Sequence, residues 1–438
     1  MRPNIIFIVA DDLGYADLGC YGGRAPVSPV LDALAANGLL FTQGYSNSPV
    51  CSPTRFALMT ARYQYRLRGA AEEPINSKSR GSTTLGLPPE HPTLPSLLRA
   101  GGYRTALIGK WHLGYPPSFG PLRSGYDEFF GPMSGGVDYF THCDSRGSHD
   151  LFMGESERKQ EGYLTDLISQ RSVDFIDRMA AHQSSGADAP FFLSMHYTAP
   201  HWPWETRDDE ALAQEVKDNL FHLHGGNIHT YRRMIHHMDE GIGWVMDALR
   251  RHHMADNTLV VFTSDNGGER FSDNWPLVGG KMDLTEGGIR VPWIAHWPAT
   301  IAPGGVSIQQ CMTMDWSATM LAAAGVQADA AYPLDGVSLL PVLQDSRHSF
   351  ERPLHWRMNH RGQRAIRLGD WKYLQVDGNE YLFNIPADER ERANLAHREP
   401  ERLAALRQAW REWEATMPAI PGDATVSLGY SVKDMPHR

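Results

Sequence analysis

Cysteine is scarce in this chain: Cys20, Cys51, Cys143 and Cys311 are the only four in 438 residues. Thiols so few and so scattered argue against a disulfide framework, and the lack of any C-x-x-C pair argues against structural zinc. Positive charge is short as well. Lys and Arg number 41 against 51 Asp and Glu, a formal net charge of -10, and no basic block or basic helix reverses that balance. A binder of phosphate backbones is therefore not the expectation, and nucleic acid is not an expected partner. Long apolar runs are missing too. The run nearest the start, Ile5 to Ala10, ends at Asp11-Asp12; it is too short for a signal-peptide core or a membrane span. No membrane association is expected, and a cytoplasmic protein is the simplest expectation.

What is present is an ordinary globular composition, 42% hydrophobic, in a chain long enough to bury a large core. Short β-branched runs alternate with segments of helical period, the pattern of an α/β protein with a mainly parallel sheet. The expected strands are Asn4 to Ala10, Arg104 to Ile108, Phe191 to Met195, Leu259 to Thr263 and Pro292 to Ala295. Between Thr230 and Arg251, Met234, Met238, Ile242, Val245 and Leu249 form an apolar stripe that reads as the buried face of a helix. From about Phe350 the texture changes. The segment RAIRLGDWKYLQVDGNEYLFNI reads as an antiparallel meander, and Glu399 to Met417 reads as a closing helix with Leu403, Leu406, Trp410 and Trp413 on one stripe. The expected fold is thus α/β, a large mostly parallel mixed sheet flanked by helices, with a small C-terminal α+β part; the expected domains are residues 1–345 and 346–438. The Ser-, Gly- and Pro-rich stretch from Glu72 to Glu90 reads as a long surface loop.

The residues that follow the strands carry the chemistry. Asp11-Asp12 follows the first, Gly109-Lys110-Trp111-His112 the second, and Asp265-Asn266-Gly267-Gly268 the fourth; the third is followed by His196 and then Ala199-Pro200-His201-Trp202-Pro203. In an open α/β sheet these groups converge at one edge, where ligands bind. Singly, Asp-Asp is also a solvated loop and SDNGG a turn signal; their common position is what points to a site. Three carboxylates and an amide are hard oxygen donors that suit Ca²⁺ or Mg²⁺ better than Zn²⁺. A further segment, SNSPVCSPTRFALMTAR, reads as a helix start with Ser52 as cap and Pro53 in the first turn. Cys51 would then sit at the positive end of the helix dipole with Arg55 one turn along, an anion-binding position.

CSPTR (Cys51 to Arg55), continuing ALMTAR, resembles the signature of the type I sulfatases, members of the alkaline phosphatase superfamily. Five more blocks resemble that family in order: NIIFIVADDLGYADLGCYGG from Asn4, GYRTALIGKWHLG from Gly102, TAPHWP from Thr198, VVFTSDNGG from Val260 and GGKMDLTEGGIRVP from Gly279. The resemblance implies that a maturation enzyme oxidises Cys51 to Cα-formylglycine and that a hydroxyl of the aldehyde hydrate attacks the sulfur of a sulfate ester. It implies that Asp11, Asp12, Asp265, Asn266 and the modified Cys51 hold one Ca²⁺, and that Arg55 and Lys110 hold the hydrate. Lys281 and His201 would bind sulfate and assist the leaving oxygen, and His112 would be the base that expels sulfate. His196 would lie at the strand end or in an outer shell. Ala61 departs from the pattern, standing where many members have Gly.

A phosphodiesterase or phosphonate monoester hydrolase of the same superfamily is the alternative, because it needs the same cation, nucleophile and basic residues. A non-catalytic binding protein would be expected to lack one of the site residues, and none is missing. Sugar, aryl and alkyl sulfates all stay open as substrates. The pocket mouth is expected from Phe130 to Asp150, with Asp138, His142, Asp144 and His149, and from His355 to Arg364; Trp202, Trp204 and Trp275 either stack on substrate or pack in loops. His222, His224, His229, His236 and His237 read as a loop and helix face rather than a metal site, since no ligand spacing emerges.

Overall fold

The computed structural model describes residues 2–184, 189–216, 219–221 and 225–427. Ten strands form the main sheet: β1 (Asn4–Ala10), β2 (Leu39–Phe41), β4 (Arg104–Gly109), β5 (Glu128–Gly131), β6 (Phe152–Met153), β7 (Ser156–Glu157), β8 (Phe191–His196), β9 (Thr258–Ser264), β10 (Trp293–His296) and β11 (Gly305–Ser307). Their spatial order is β11-β2-β10-β9-β1-β8-β4-β5-β6-β7. A small pair, β3 (Gly44–Tyr45) and β12 (Cys311–Met312), lies apart from it. The centre of the main sheet, β9-β1-β8-β4-β5, is parallel throughout. The strand expected at Pro292 to Ala295 forms as β10 but runs antiparallel to both β9 and β2, so its carboxyl end points away from the edge where the others finish.

Strand β1 shows why this sheet is central. All seven of its residues are buried, with Ile6, Ile8 and Ala10 in one apolar cluster and Ile5, Phe7 and Val9 in another. Side chains alternate across a strand, so an uninterrupted apolar run requires cover on both faces. On one face that cover is the helix Ile228–Arg251, whose Met234, Met238, Ile242, Val245 and Leu249 are all fully buried. It begins two residues before the expected start because Asn227 caps it, accepting from His229 N at 2.8 Å and Thr230 N at 3.0 Å.

The second sheet is the antiparallel meander β13 (Leu354–Arg357), β14 (Arg364–Leu368), β15 (Trp371–Val376) and β16 (Asn379–Asn384). The closing helix, Pro400–Glu414, buries Leu406 and Trp410 against it and half-buries Leu403 and Trp413. This sheet does not pack alone: Leu354, Trp356 and Phe383 share an apolar cluster with Tyr45, Cys51 and Ile289. The stretch Glu72 to Glu90 is not the surface loop its composition suggests. Glu72, Glu73, Ile75 and Leu87 are buried, because this segment runs between the helix that begins at Cys51 and the C-terminal residues.

Candidate active site

Register sets the site. Val9 of β1 stands opposite both His196 and Thr263, and Gly109 opposite His196, so the four parallel strands end level with one another. The ladder carries one residue further on two of them, with Asp265 N donating to Ala10 O at 3.1 Å and Lys110 N to His196 O at 2.8 Å. Asp12 (φ 64°) and His112 (φ 60°) then adopt left-handed backbone, which turns each chain out of its strand; Asp and His tolerate that region better than most residues. Asp11, Asp12, Lys110, His112, His196, His201, Asp265 and Asn266 are all buried at this edge.

Cys51 reaches the same place from a helix, Cys51–Thr60, every residue of which is buried. The expected cap is not the observed one. Val50, in extended conformation, occupies the cap position, and Cys51 is the first helical residue. Ser52 instead uses its Oγ to accept from Ile75 N at 2.9 Å, a long-range demand that outweighs local capping preference. Arg55 lies one turn on, as expected. Cys51 Sγ and carboxylate oxygens of Asp11 and Asp265 lie within 4.8 Å of one another, as do ligand atoms of Asp11, Asp12 and His201.

The charges are interlocked. Arg55 donates to Asp265 Oδ2 through Nε at 3.0 Å and Nη2 at 2.8 Å, and to the Lys110 carbonyl through Nη1 at 3.1 Å. Lys110 Nζ pairs with Asp11, and Lys281 Nζ with Asp12 Oδ2 at 2.7 Å. His201 Nε2 is 3.6 Å from that same Asp12 oxygen, while its Nδ1 lies 2.7 Å from the Trp202 carbonyl. Asn266 Nδ2 donates to Asp12 Oδ1 at 2.7 Å, which fixes the orientation of the amide. His112 Nε2 is 2.6 Å from the Ile75 carbonyl.

Burial, reinforced by Asp265, pushes the Asp11 carboxyl above the ordinary carboxylate range, against the pull of Lys110 and Arg55. Burial acts on Asp12 in the same sense, but Lys281 and His201 outweigh it and hold Asp12 below that range. Burial, with Lys110 beside one ring and Lys281 beside the other, keeps His112 and His201 well below the usual imidazole value. The Cys51 thiol is pushed up to about 11, chiefly by burial, so as a thiol it is a poor nucleophile near neutral pH.

The donor set fits a hard divalent cation. Asp11 Oδ1 and Asn266 Oδ1 are buried acceptors with no hydrogen-bond partner among the described residues, although buried polar atoms are ordinarily satisfied. A cation shared by Asp11, Asp12, Asp265 and Asn266 would satisfy both and offset three converging carboxylates.

Three features escape a reading of the sequence. Glu269 lies with its carboxylate 3.8 Å from Lys281 Nζ, and burial raises its pKa; its place three residues after Asn266 was the only signal. Gly135 and Gly136 pass so close to the site that a Cβ on Gly135 would lie 2.4 Å from His112 Cε1, and one on Gly136 3.2 Å from His201 Cε1. Ile75 acts only through its main chain, which no side-chain pattern announces.

The expected pocket mouth is largely internal packing instead. Asp144 and Asp150 are buried against Arg80, at 2.8 and 3.1 Å; Asp138 Oδ1 accepts from Phe140 N and Thr141 N; His142 Nε2 lies 3.1 Å from Gly162 O. His149 Nε2 lies near Arg158 O, and His355 stacks on Trp413. Trp204 is buried, Trp202 lies tilted between His201 and Phe221, and Trp275 is 52% exposed beside the guanidinium groups of Arg24 and Arg390. His196 Nδ1 sits 3.2 Å from the Lys110 carbonyl, behind the site. His236 pairs with Glu240, while His229 and His237 lie on the same helix; His222 and His224 lie outside the described residues.

A mixed sheet whose carboxyl edge gathers hard oxygen donors, buried basic side chains and the start of a helix carrying a buried cysteine suits a hydrolase that acts on esters of tetrahedral oxyanions. The family model described as Sulfatase matches residues 3–326, and the chain belongs to the sulfatase family. It is similar to human N-acetylgalactosamine-6-sulfatase, at 34% identity over 380 residues covering 81% of this chain and 68% of that protein. Human arylsulfatase A is 32% identical over 427 residues, covering 91% of this chain and 80% of the other. Among solved structures, Ps i-CgsB in complex with k-i-k-neocarrahexaose superposes with a TM-score of 0.84 at 32% identity, covering 94% of this chain and 93% of that one. The protein is accordingly a sulfatase, an enzyme that hydrolyses sulfate esters.

Proposed function

We infer that the protein removes a sulfate monoester from a saccharide, with Cys51 matured to Cα-formylglycine and one Ca²⁺ held by Asp11, Asp12, Asp265, Asn266 and the modified Cys51. The observation that carries this reading is the buried meeting of Cys51 Sγ with the Asp11 and Asp265 carboxylates, all within 4.8 Å, around two unpartnered acceptor oxygens. A hydrated aldehyde at position 51 would supply one hydroxyl to attack sulfur and a second whose deprotonation would let sulfate leave by elimination with the aldehyde restored. A cation held by Asp11, Asp12, Asp265 and Asn266 would supply charge stabilisation to the sulfate group.

The chain's own residues do the rest. Arg55 and Lys110, paired with Asp265 and Asp11, hold those carboxylates in place and leave positive charge beside position 51. Lys281, ion-paired with Asp12 and partly open to solvent, meets the sulfate oxygens. His201 turns Nε2 toward the same region while Nδ1–H donates to the Trp202 carbonyl; the neutral ring therefore presents a lone pair at Nε2, and it gives a proton to the leaving oxygen only once the charge of bound sulfate has drawn a second proton onto it. His112, neutral and buried, keeps a proton on Nε2 for the Ile75 carbonyl and presents Nδ1 as acceptor. The near-complete burial of Cys51 keeps water from competing.

The saccharide assignment is supported by the similarity to an N-acetylgalactosamine-6-sulfatase and to Ps i-CgsB in complex with k-i-k-neocarrahexaose. A formylglycine-generating enzyme is the partner this reading requires, and residues 1–345 would be the catalytic unit with 346–438 packed against it. Sulfate release from sulfated mono- and oligosaccharides, from an aryl sulfate and from the matching phosphate mono- and diesters tests the assignment. The expected result is turnover of sulfated saccharides and aryl sulfate that is lost with chelator and restored by Ca²⁺. A strong preference for phosphate diesters would overturn it.

A further inference from the structure

We propose that Glu73 is a positioning residue for the active site: through it the C-terminal part of the chain holds the Ile75 carbonyl against His112 and so fixes which ring nitrogen of that histidine is free to take a proton. The inference rests on the reading of His112 as the base.

Ile75 contributes only main-chain atoms, yet both are engaged with the site. Its N–H donates to Ser52 Oγ, beside Cys51, at 2.9 Å, and its carbonyl lies 2.6 Å from His112 Nε2. A carbonyl only accepts, so Nε2 of the imidazole carries the proton in this contact. Nδ1, buried and without a partner among the described residues, then presents its lone pair. One peptide carbonyl thus sets the tautomer, and the adjoining N–H ties it to the helix that carries Cys51.

Glu73 is what holds that peptide. It is buried, and all four of its hydrogen-bonding groups are engaged by the C-terminal part of the chain. Its N–H donates to Thr425 O at 2.9 Å, and its carbonyl accepts from Ser427 N at 2.8 Å. Oε1 accepts from Asn359 N at 2.7 Å and Oε2 from His360 N at 2.9 Å. On the far side of Ile75, Asn76 Nδ2 donates to Ser427 Oγ at 2.7 Å. Glu73 pairs with Val426 as a parallel bridge, so the segment around Ile75 is laid down as a strand against the tail. None of the expected catalytic or metal-binding residues lies beyond Lys281, yet the carbonyl that orients the histidine is fixed by residues 359, 360 and 425–427. A charge-assisted acceptor for two successive N–H groups is a rigid clamp, and a positional error of about 1 Å at a catalytic group costs on the order of a hundredfold in rate.

The test is Glu73→Gln in the full-length, cation-loaded protein, where an NH₂ replaces one acceptor oxygen at nearly constant volume. Histidine ¹⁵N spectra, with His112 assigned by its loss in His112→Gln, report the tautomer; kcat and KM on an aryl sulfate report turnover. The expected result is loss of the single Nε2-protonated signature of His112, with kcat down by about tenfold or more and KM changed by less than about twofold. Asn359→Pro, at a backbone φ of −73° that proline accepts, removes only the N–H to Oε1 and is expected to shift both readouts the same way to a smaller degree. Asp423→Ala removes only an exposed ion pair between the same tail and Arg68 and is expected to leave both unchanged. A purely structural role would lower the melting temperature of Glu73→Gln and Asn359→Pro while leaving the tautomer and kcat as they were, and that result would overturn the proposal. A shifted tautomer with unchanged kcat would uphold the positioning and overturn the base role of His112 instead.

Discussion

On the proposed function, Cys51 carries the most chemistry for its size. Cys51→Ala removes one buried sulfur, which costs stability only about 1 kcal/mol, while turnover of an aryl sulfate is expected to fall by about a thousandfold or more; a melting curve beside a rate assay separates the two. Asp12→Asn is expected to weaken Ca²⁺ binding by at least tenfold, roughly the lower bound for disturbing a ligand sphere, as read by calorimetric titration of the apoprotein. The common place of these residues was legible because Asp11, Asp12, Lys110, His112, His201, Asp265 and Asn266 each follow a strand that its own apolar run announces. Ile75 and Gly135 were not legible, since one works through a carbonyl and the other through the absence of a Cβ. Gly135→Ala would place a methyl 2.4 Å from His112 Cε1. It is expected to destabilise by about 1–3 kcal/mol and to lower kcat, measured by denaturant unfolding and steady-state rates.

At the scale of elements, the site is a meeting of strand ends, one helix start and the loops that close over them. The strands were readable because apolar runs flanked by turns have few alternatives. The helix starts two residues earlier than Ser-Pro, a strong local signal, suggests, because Ser52 is claimed by Ile75 from a segment that composition alone made look exposed. The loop of Gly136 and the loop of His201 are joined by two buried carboxyls, Asp138 and Glu205, each with one unpartnered oxygen among the described residues. Burial, with Asp138 next to it, pushes Glu205 up to about 9. Between its unfolded value near 4.5 and about 9 the folded protein holds a proton that the unfolded chain has released. Stability on this account falls as pH rises through that window, by at most about 1.4 kcal/mol per unit. Glu205→Gln is expected to flatten the decline, so that melting temperatures of variant and parent, compared from pH 5 to pH 9, diverge in the variant's favour toward the alkaline end.

Across the whole molecule the two sheets are joined by buried charge as well as by apolar packing. Lys372 of β15 lies 3.0 Å from Glu286 and 2.8 Å from Glu391, and all three are essentially inaccessible to solvent. Glu286 belongs to the segment that follows Lys281, and its backbone N–H donates to Glu391, so this network anchors one side of the site. Lys372→Ala leaves Glu286 to Arg367 and Arg290 but strips Glu391 of its ion-pair partner among the described residues, and is expected to cost about 3–5 kcal/mol in denaturant unfolding. Such coupling is invisible in sequence because its partners stand 86 and 19 positions apart with no shared period. The central claim, that Cys51 becomes the nucleophile by oxidation, is tested most directly by the mass of the tryptic peptide from Ala25 to Arg55. The protein is produced together with a formylglycine-generating enzyme and assayed for sulfate release in the same preparation. The account predicts an aldehyde or its hydrate at Cys51, in a proportion that tracks activity across preparations. An intact thiol in protein that still hydrolyses sulfate esters would contradict it.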